Sequence, residues 1–204
     1  MKYPHLFTPL QVGNALFRNR IFSSPTGHVD TSLDGEPTDR MIAYYARKAL
    51  GGAASVAIGE CCVDRARGRR GSRHIDLQSR TNTYMLSRLA SAITSLGAVA
   101  STELQHGGYA ANSIDRDGPA WSSVGMEYHG HPVEQMDEDL IWETIGLYAD
   151  AAFQHLYFET VGDEEQSALH AERMEAARAA SGDLAPLTSD IDSILAGISL
   201  PVGH

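Results

Sequence analysis

Apolar runs alternate with amphipathic stretches along the first three quarters of this chain. The run at residues 53–58 lacks polar alternation, as expected for a strand covered on both faces, and residues 18–25 and 98–104 are the other two predicted strands. Apolar residues recur at helical spacing after each predicted strand. The three helical stripes are Met41, Ile42, Tyr45 and Ala49; Met85, Leu86, Leu89, Ala92, Ile93 and Leu96; and Ile141, Ile145, Tyr148 and Ala152.

Glycines and acidic residues mark the ends of the predicted helices. Gly51 and Gly52 end the first helix and Gly97 ends the second, while three acids at residues 137–139 suit the start of the third. The repeated order of strand and helix predicts a parallel sheet with right-handed crossovers. A barrel and an open doubly wound sheet both begin in this way. The sequence has no Gly-x-Gly-x-x-Gly after a strand and no Walker A motif to favour a nucleotide-binding unit.

The hydrophobic pattern changes after residue 153. Residues 164–180 are rich in Ala and Glu and are predicted to be helical, while residues 156–161 could form a short strand and residues 190–198 a short helix. Between residues 154 and 204, nine acidic residues stand against two arginines and no lysine. We therefore divide the chain into an α/β part at residues 1–153 and an acidic, mostly helical tail at residues 154–204.

Composition narrows the class of protein. The 204 residues, of which 43% are hydrophobic, suffice for a domain with a real core. The formal charge of −10 argues against non-specific binding to nucleic acid or to anionic membranes. The adjacent Cys61 and Cys62 would point to opposite faces of a strand and are not expected to form a disulfide. No apolar segment has the length of a signal peptide or membrane span, so we expect a soluble cytoplasmic protein.

Short motifs stand at the ends of the predicted strands. They are Ser24-Pro25-Thr26-Gly27, the segment 51–64 with Gly59-Glu60-Cys61-Cys62, and Glu103-Leu104-Gln105-His106-Gly107-Gly108, followed by the predicted helix that ends near Ala152. As an ordered set over residues 3–153, they resemble the NADH:flavin oxidoreductase family, the relatives of old yellow enzyme. The pattern is most similar to the multidomain branch with dienoyl-CoA reductases, trimethylamine dehydrogenase and bile-acid enoate reductases.

The resemblance implies a partial TIM (β/α)8 barrel, roughly its first three β/α units, that binds FMN. It also implies NADH or NADPH as the reductant and an enone or enoate as the substrate. Pro25, Thr26, Gly59 and Glu103 are the implied flavin contacts, with Glu103 standing where many relatives have glutamine. His106 is the implied substrate-site candidate. The plainer interpretation is that these residues merely end strands and that His106 is a hydrogen-bonded loop histidine.

Much of the family's barrel has no counterpart in this sequence. Eight strands need about 250 residues, and nothing here matches the fourth-strand residues that supply the family's substrate-anion and proton-donor groups. The iron–sulfur cysteines and pyridine-nucleotide domains of larger relatives are also missing from this chain. One hypothesis is therefore an FMN-dependent ene-reductase, or its FMN-binding part. The other is a truncated, inactive remnant or interaction module, whose open sheet is covered by a second copy, a partner half-barrel or the tail.

Two further clusters have a functional and a plain interpretation. Five arginines follow the second predicted strand and could bind a phosphorylated ligand, although a solvated loop is favoured because no aromatic residues interleave. These are Arg65, Arg67, Arg69, Arg70 and Arg73. His129 and His131 could form half of a metal site, but no other ligand stands at suitable spacing, so we expect no metal.

Overall fold

The computed structural model describes residues 3–13, 15–27, 30–111 and 118–157. These residues form a short hairpin, a parallel sheet whose strands are followed by helices, and a second small sheet. In chain order, the elements are a 3-10 helix (Pro4–Phe7), β1 (Leu10–Val12), β2 (Ala15–Phe17), β3 (Phe22–Ser23), α1 (Asp39–Leu50), β4 (Ser55–Cys62), β5 (Ile75–Asp76), a 3-10 helix (Arg80–Asn82), α2 (Thr83–Thr94), β6 (Val99–Gln105), a 3-10 helix (Gly108–Ala110), β7 (Ala120–Ser122), β8 (Met126–Tyr128), β9 (His131–Gln135) and α3 (Glu138–Tyr157).

β4 lies at the centre of the parallel sheet. β6 pairs along one edge of β4, whereas β3 and β5 pair along the other edge, β3 near its start and β5 near its end. All these pairings are parallel, so the predicted parallel sheet is confirmed. The units β3–α1, β4–α2 and β6–α3 are the three β/α units that the hydrophobic pattern indicates.

The first strand of this sheet is much shorter than the predicted range of 18–25. Only Phe22 and Ser23 pair continuously with β4, and an isolated parallel bridge joins Gly27 to Gly59 farther along. Pro25 has no N–H group to donate to a ladder. Pairing is therefore interrupted at the point where the chain approaches the end of β4.

The main core lies between the sheet and the helices α1 and α2. Its side chains come from the inner stripes of both helices and from one face of β4. Moving one large apolar side chain from water into such a core contributes about 1.5–3 kcal/mol. The buried cluster consists of Met41, Tyr45, Ala49, Ala53, Val56, Ile58, Cys61, Val63, Ile75, Leu77, Leu86, Leu89, Ile93, Ala98 and Ala151.

Local signals set the ends of α1. The Thr38 hydroxyl accepts a hydrogen bond from the Met41 amide at 3.3 Å, as is typical of a helix N-cap. After the helix, Gly52 has a φ of 102°, which glycine adopts without the strain that a Cβ would cause. The chain thereby turns directly from α1 into β4.

α3 packs on the core through a face that matches the predicted one only in part. Ile145 is 40% exposed and Ala152 is exposed, whereas Trp142 and Ala151 are buried and Tyr148 is half-buried. The predicted stripe was therefore wrong for part of the helix. Apolar residues occupy two adjacent faces of α3, so periodicity alone does not decide which of them packs.

The segment predicted as a long loop up to residue 135 contains the second sheet. Its central strand, β9, pairs in parallel with β7 and antiparallel with β8. Tyr128 pairs with His131, and the turn between them has φ values of 49° at His129 and 77° at Gly130. Two positive φ values characterise a type I′ hairpin, which more often has Asn or Asp before the glycine. The loop prediction was wrong here because the strands have only three to five residues.

The predicted elements at residues 164–180 and 190–198 lie outside the described residues, and the domain boundary at 153 stays a prediction. Leu156 and Tyr157 belong to α3, so a strand beginning at residue 156 was wrong for these two positions. In the part of the chain that the structure describes, no helix combines the length and apolar character needed to cross a membrane.

Candidate functional site

Three strand ends converge beside Gly59 in the second half of β4. A Cβ atom built on Gly59 would lie 2.8 Å from Glu103 Oε2, from Pro25 Cβ and from the Thr26 backbone nitrogen. Carbon atoms do not approach other heavy atoms so closely without displacing them, so only glycine fits at this position. The structure therefore gathers the four predicted flavin contacts at one point. Their role toward a flavin stays a prediction.

Gly59 lies at a break in both strand ladders. Pairing between β3 and β4 stops at Ser23 and Val56 and resumes at Gly27 and Gly59, which leaves one extra residue on the β3 side. Pairing between β4 and β6 shifts its register after Ile58. Such irregularities re-aim backbone and side-chain groups next to active sites. This break lies toward the carboxyl ends of parallel strands, where barrel enzymes place their catalytic groups.

Tyr45 reaches the break from α1. Its hydroxyl oxygen lies 2.8 Å from the Thr26 carbonyl oxygen and 3.2 Å from the Gly59 amide nitrogen, so it donates to the first and accepts from the second. Burial raises the pKa of Tyr45 to about 12, so the hydroxyl keeps its proton at neutral pH. Sequence reasoning placed Tyr45 only on an apolar stripe. The available signal was that a buried tyrosine hydroxyl needs a hydrogen-bond partner.

Glu103 is a half-buried carboxylate without a partner at this break. Among the described residues, it forms no hydrogen bond and no ion pair. Burial, together with the nearby charge of Glu103, raises the pKa of the Cys61 thiol. A carboxylate of this kind has free lone pairs with which to accept hydrogen bonds from a ligand.

Glu60 follows Gly59 and forms an ion pair with Arg70 at the strand mouth, with the His74 imidazole beside it. Its Oε1 lies 3.1 Å from Arg70 Nη1, and its Oε2 lies 3.4 Å from His74 Nδ1. Burial lowers the pKa of His74, and the charge of Glu60 opposes this shift. The Glu60 carboxyl carbon would lie 3.2 Å from a Cβ built on Gly27. Glu60 is therefore packed against the segment that carries the predicted flavin contacts.

Asp64 is the centre of a buried charge cluster just after β4. Its Oδ1 accepts hydrogen bonds from the amides of Ala66 and Arg67, each at 3.0 Å, and its Oδ2 accepts one from Arg67 Nε at 2.7 Å. Burial alone would raise the pKa of Asp64, but the neighbouring His106 imidazole and the hydrogen bonds from Arg67 lower it to about 2. Arg67 also forms a bidentate pair with Glu143 of α3, at 2.6 and 2.9 Å. The cluster therefore joins the loop after β4 to α3.

His106 lies inside this charge cluster. Its Nε2 is 3.7 Å from Asp64 Oδ2 and its side chain is 6% exposed, while its Nδ1 accepts a hydrogen bond from the Gly108 amide at 3.0 Å. A Cβ on Gly68 would come within 2.7 Å of the imidazole. The packing favours a structural loop histidine. A role for His106 toward substrate stays a prediction.

The arginine run after β4 is tied to other parts of the chain. The contacts are Arg65 with Asp76, Arg67 with Glu143, Arg69 with the Ser72 carbonyl, Arg70 with Glu60, and Arg73 with the Thr31 carbonyl. This favours a structural role over a phosphate site and over a freely solvated loop.

His129 and His131 belong to a hairpin. Within the described ranges, no group of three or more His, Cys, Asp or Glu side chains could hold a metal ion.

Comparison with known proteins identifies the family. The profile of the NADH:flavin oxidoreductase / NADH oxidase family matches residues 5–155. This chain belongs to that family. A metal reductase from Desulforamulus reducens is 32% identical over 151 residues, which make up 72% of this chain and 22% of the relative. The chain thus spans less than a quarter of that relative's length.

Solved structures show the same fold. A 2-naphthoyl-CoA reductase in complex with 2-naphthoyl-CoA matches with a TM-score of 0.69 and 22% identity, over 74% of this chain and 25% of that chain. Old yellow enzyme from Pichia sp. AKU4542 matches with a TM-score of 0.67 and 19% identity, over 74% of this chain and 42% of that chain. The expected partial TIM barrel is confirmed, and the described strands do not form a closed sheet.

Proposed function

We propose that this chain forms the flavin-facing part of an FMN-dependent oxidoreductase. The observation that carries the proposal is the gathering of Pro25, Thr26 and Glu103 around Gly59, toward the carboxyl ends of three parallel strands. This end of the strands is where barrels of this kind build their sites. Membership of the NADH:flavin oxidoreductase / NADH oxidase family supports a flavin as the ligand.

The groups at the break suit one edge of a flavin ring. The pyrimidine edge of an isoalloxazine carries an N–H donor between two carbonyl acceptors. Glu103 supplies acceptor oxygens, and the Thr26 amide nitrogen lies on the same side of Gly59 as that carboxylate. The missing side chain of Gly59 also allows a flat ligand to approach the backbone closely. We therefore assign Glu103 and Thr26 to the pyrimidine edge, with Pro25 and Gly59 lining the site.

Bound FMN would supply hydride transfer between NADH or NADPH and an activated double bond, which we propose to belong to an enone or enoate. The protein's own contribution is to bind and orient the ring. The charge of Glu103 would also oppose additional negative charge beside it, because like charges repel in a partly buried site. A glutamine at this position would exert no such effect.

A second candidate function is a binding module without turnover. The observation that favours it is the open sheet, because within the described residues β6 pairs only with β4. In TIM barrels, a phosphate frequently binds after strands seven and eight, and the described residues supply three barrel strands. A module of this kind would hold FMN weakly or not at all.

Flavin retention distinguishes the two functions. Purified protein is freed of unbound flavin and denatured, and the FMN fluorescence released is compared with the protein concentration. Equimolar release supports the flavin-binding proposal. A colourless, monodisperse protein that also fails to take up added FMN contradicts it and supports the binding module.

Variants of Glu103 test the assignment of the site. We expect Glu103→Ala to weaken FMN binding about tenfold, because a hydrogen bond from the ligand loses its acceptor. Glu103→Gln keeps an acceptor oxygen and should retain FMN. Glu127→Ala, at an exposed position of β8, is the matched control. Equal FMN affinity in Glu103→Ala and Glu127→Ala would exclude Glu103 from the site.

A further inference from the structure

Tyr45 is a fully buried polar side chain that the flavin assignment does not use. It comes from the inner face of α1, and its hydroxyl ends between β3 and β4 where their ladder is interrupted. A phenol in an apolar core is costly unless its hydroxyl finds partners. Its position therefore calls for an explanation beyond packing.

The ladder between β3 and β4 is interrupted next to Thr26 and Gly59. Pro25 lacks an N–H group, and three residues of the β3 side stand opposite two of β4 between the pairs Ser23–Val56 and Gly27–Gly59. The Thr26 carbonyl and the Gly59 amide bind the Tyr45 hydroxyl, at 2.8 and 3.2 Å. A hydroxyl can donate and accept at once, so one side chain satisfies both backbone groups.

We propose that Tyr45 is a positioning residue for the flavin site, holding Thr26 and Gly59 in the arrangement that receives the ring. With the Thr26 carbonyl tied to α1, the Thr26 amide nitrogen lies on the side of Gly59 where Glu103 stands. Tyr45 thus acts through the backbone of two flavin contacts and does not itself touch the ligand. The inference rests on the proposed function.

Two neighbours on α1 restrict the movement of this tyrosine. The Tyr44 ring packs edge-on against Tyr45, with ring centroids 5.1 Å apart. Lys48 Nζ lies 5.2 Å from the centre of the Tyr45 ring and 3.4 Å from the Thr26 hydroxyl. Both the carbonyl and the side chain of Thr26 therefore contact residues of α1, the carbonyl through the buried Tyr45 hydroxyl and the side chain through Lys48.

Removing only the hydroxyl separates positioning from packing. In Tyr45→Phe the ring still fills the core, but the Thr26 carbonyl and the Gly59 amide lose their partner. We expect the Kd for FMN to rise about tenfold, the visible absorption spectrum of bound FMN to shift, and hydrogen exchange at the Gly59 amide to accelerate. Tyr84→Phe is the control, because Tyr84 is 70% exposed on α2, and it should change none of the three.

The outcomes distinguish this inference from the proposed function. An unchanged FMN affinity and flavin spectrum in folded Tyr45→Phe would overturn the positioning role. If wild-type protein binds no FMN, the proposed function fails, while exchange at the Gly59 amide in the two proteins still decides whether Tyr45 holds the break together. If Tyr45→Phe does not fold, hydrogen exchange at the Gly59 amide of the wild-type protein tests the positioning role instead. Protection as strong as that of the paired amides of β4 supports the role, and rapid exchange refutes it.

Discussion

Asp64 keeps its negative charge at a position where its side chain is only 2% exposed. A buried carboxylate is tolerated only where donors compensate for the lost water. Here two backbone amides and the Arg67 guanidinium supply hydrogen bonds, and His106 lies beside the same oxygen. The loop after β4 is thus organised around one charge.

The stability of the protein should depend on the ionisation of Asp64. Its pKa of about 2 in the folded state lies below the ordinary value of 3.8. A depressed carboxyl pKa stabilises the fold above the ordinary value, and that contribution is lost as the pH falls through the folded-state pKa. We expect this group to account for about 2 kcal/mol of unfolding free energy, lost between about pH 5 and pH 2.

Urea denaturation across this pH range, with wild type and Asp64→Asn, measures the effect. The asparagine variant should lack this part of the pH dependence because it has no carboxyl group to titrate. Glu127→Gln is the control, since it removes a carboxyl group from an exposed position of β8, away from the loop after β4. Identical slopes for wild type and Asp64→Asn would contradict the assignment.

At the scale of elements, Arg18 ties together the ends of two helices. Its guanidinium donates to the Leu96 carbonyl at 2.7 Å, and to the Ala49 and Ala53 carbonyls at 2.5 and 2.7 Å. The last carbonyls of a helix have no partner within the helix and carry partial negative charge. Arg18 therefore completes the carboxyl end of α1 and the turn after α2, at the amino-terminal end of the sheet.

Loss of this link should destabilise the fold. We expect Arg18→Met to lower the free energy of unfolding by about 2–3 kcal/mol, because charged hydrogen bonds to several buried carbonyls are lost. The control is Arg20→Met, which removes an exposed contact from Nε to the Thr8 hydroxyl at 3.3 Å and should cost less than about 1 kcal/mol. Chemical denaturation compares the two, and equal losses would refute the special role of Arg18.

At the scale of the molecule, the helices cover one face of the parallel sheet, and the described strands leave the sheet open. Val56 and Ile58 face the helical core, so the alternation along β4 places Ser55, Ala57 and Gly59 on the opposite face. Phe22 and Val99 pair with Ser55 and share this face, and Phe22 is 50% exposed. The face is therefore mixed in character, and the flavin candidates lie toward its carboxyl end.

Both cysteines of the chain lie in β4 and report on the opening of the structure around this strand. Cys61 and Cys62 are 0% and 1% exposed, and burial raises the pKa of both thiols, that of Cys62 to about 12. Buried thiols that stay protonated react slowly. We expect a thiol reagent at neutral pH to label neither cysteine in the native protein and both after denaturation. Rapid labelling of either native thiol would show that the sheet opens locally around β4.

The sequence by itself determined the order of the three β/α units and the residues that gather at the candidate site. Helical periodicity, the Thr38 cap and the glycines after α1 and α2 are local signals, because each acts within a few residues. Pro25, Gly59 and Glu103 could be selected because strand-end motifs recur in a family, and parallel strands bring their carboxyl ends together.

Only the tertiary structure decided how these parts meet. Three sets of contacts join residues that are far apart in sequence. They are the hydrogen bonds of the Tyr45 hydroxyl to two strands, the ion pair of Arg67 with Glu143, and the hydrogen bonds of Arg18 to the ends of two helices. The packed face of α3 depends on the same kind of contact. Periodicity within one segment carries no information about such partners, because burial and hydrogen bonding are set by whatever element lies across the contact.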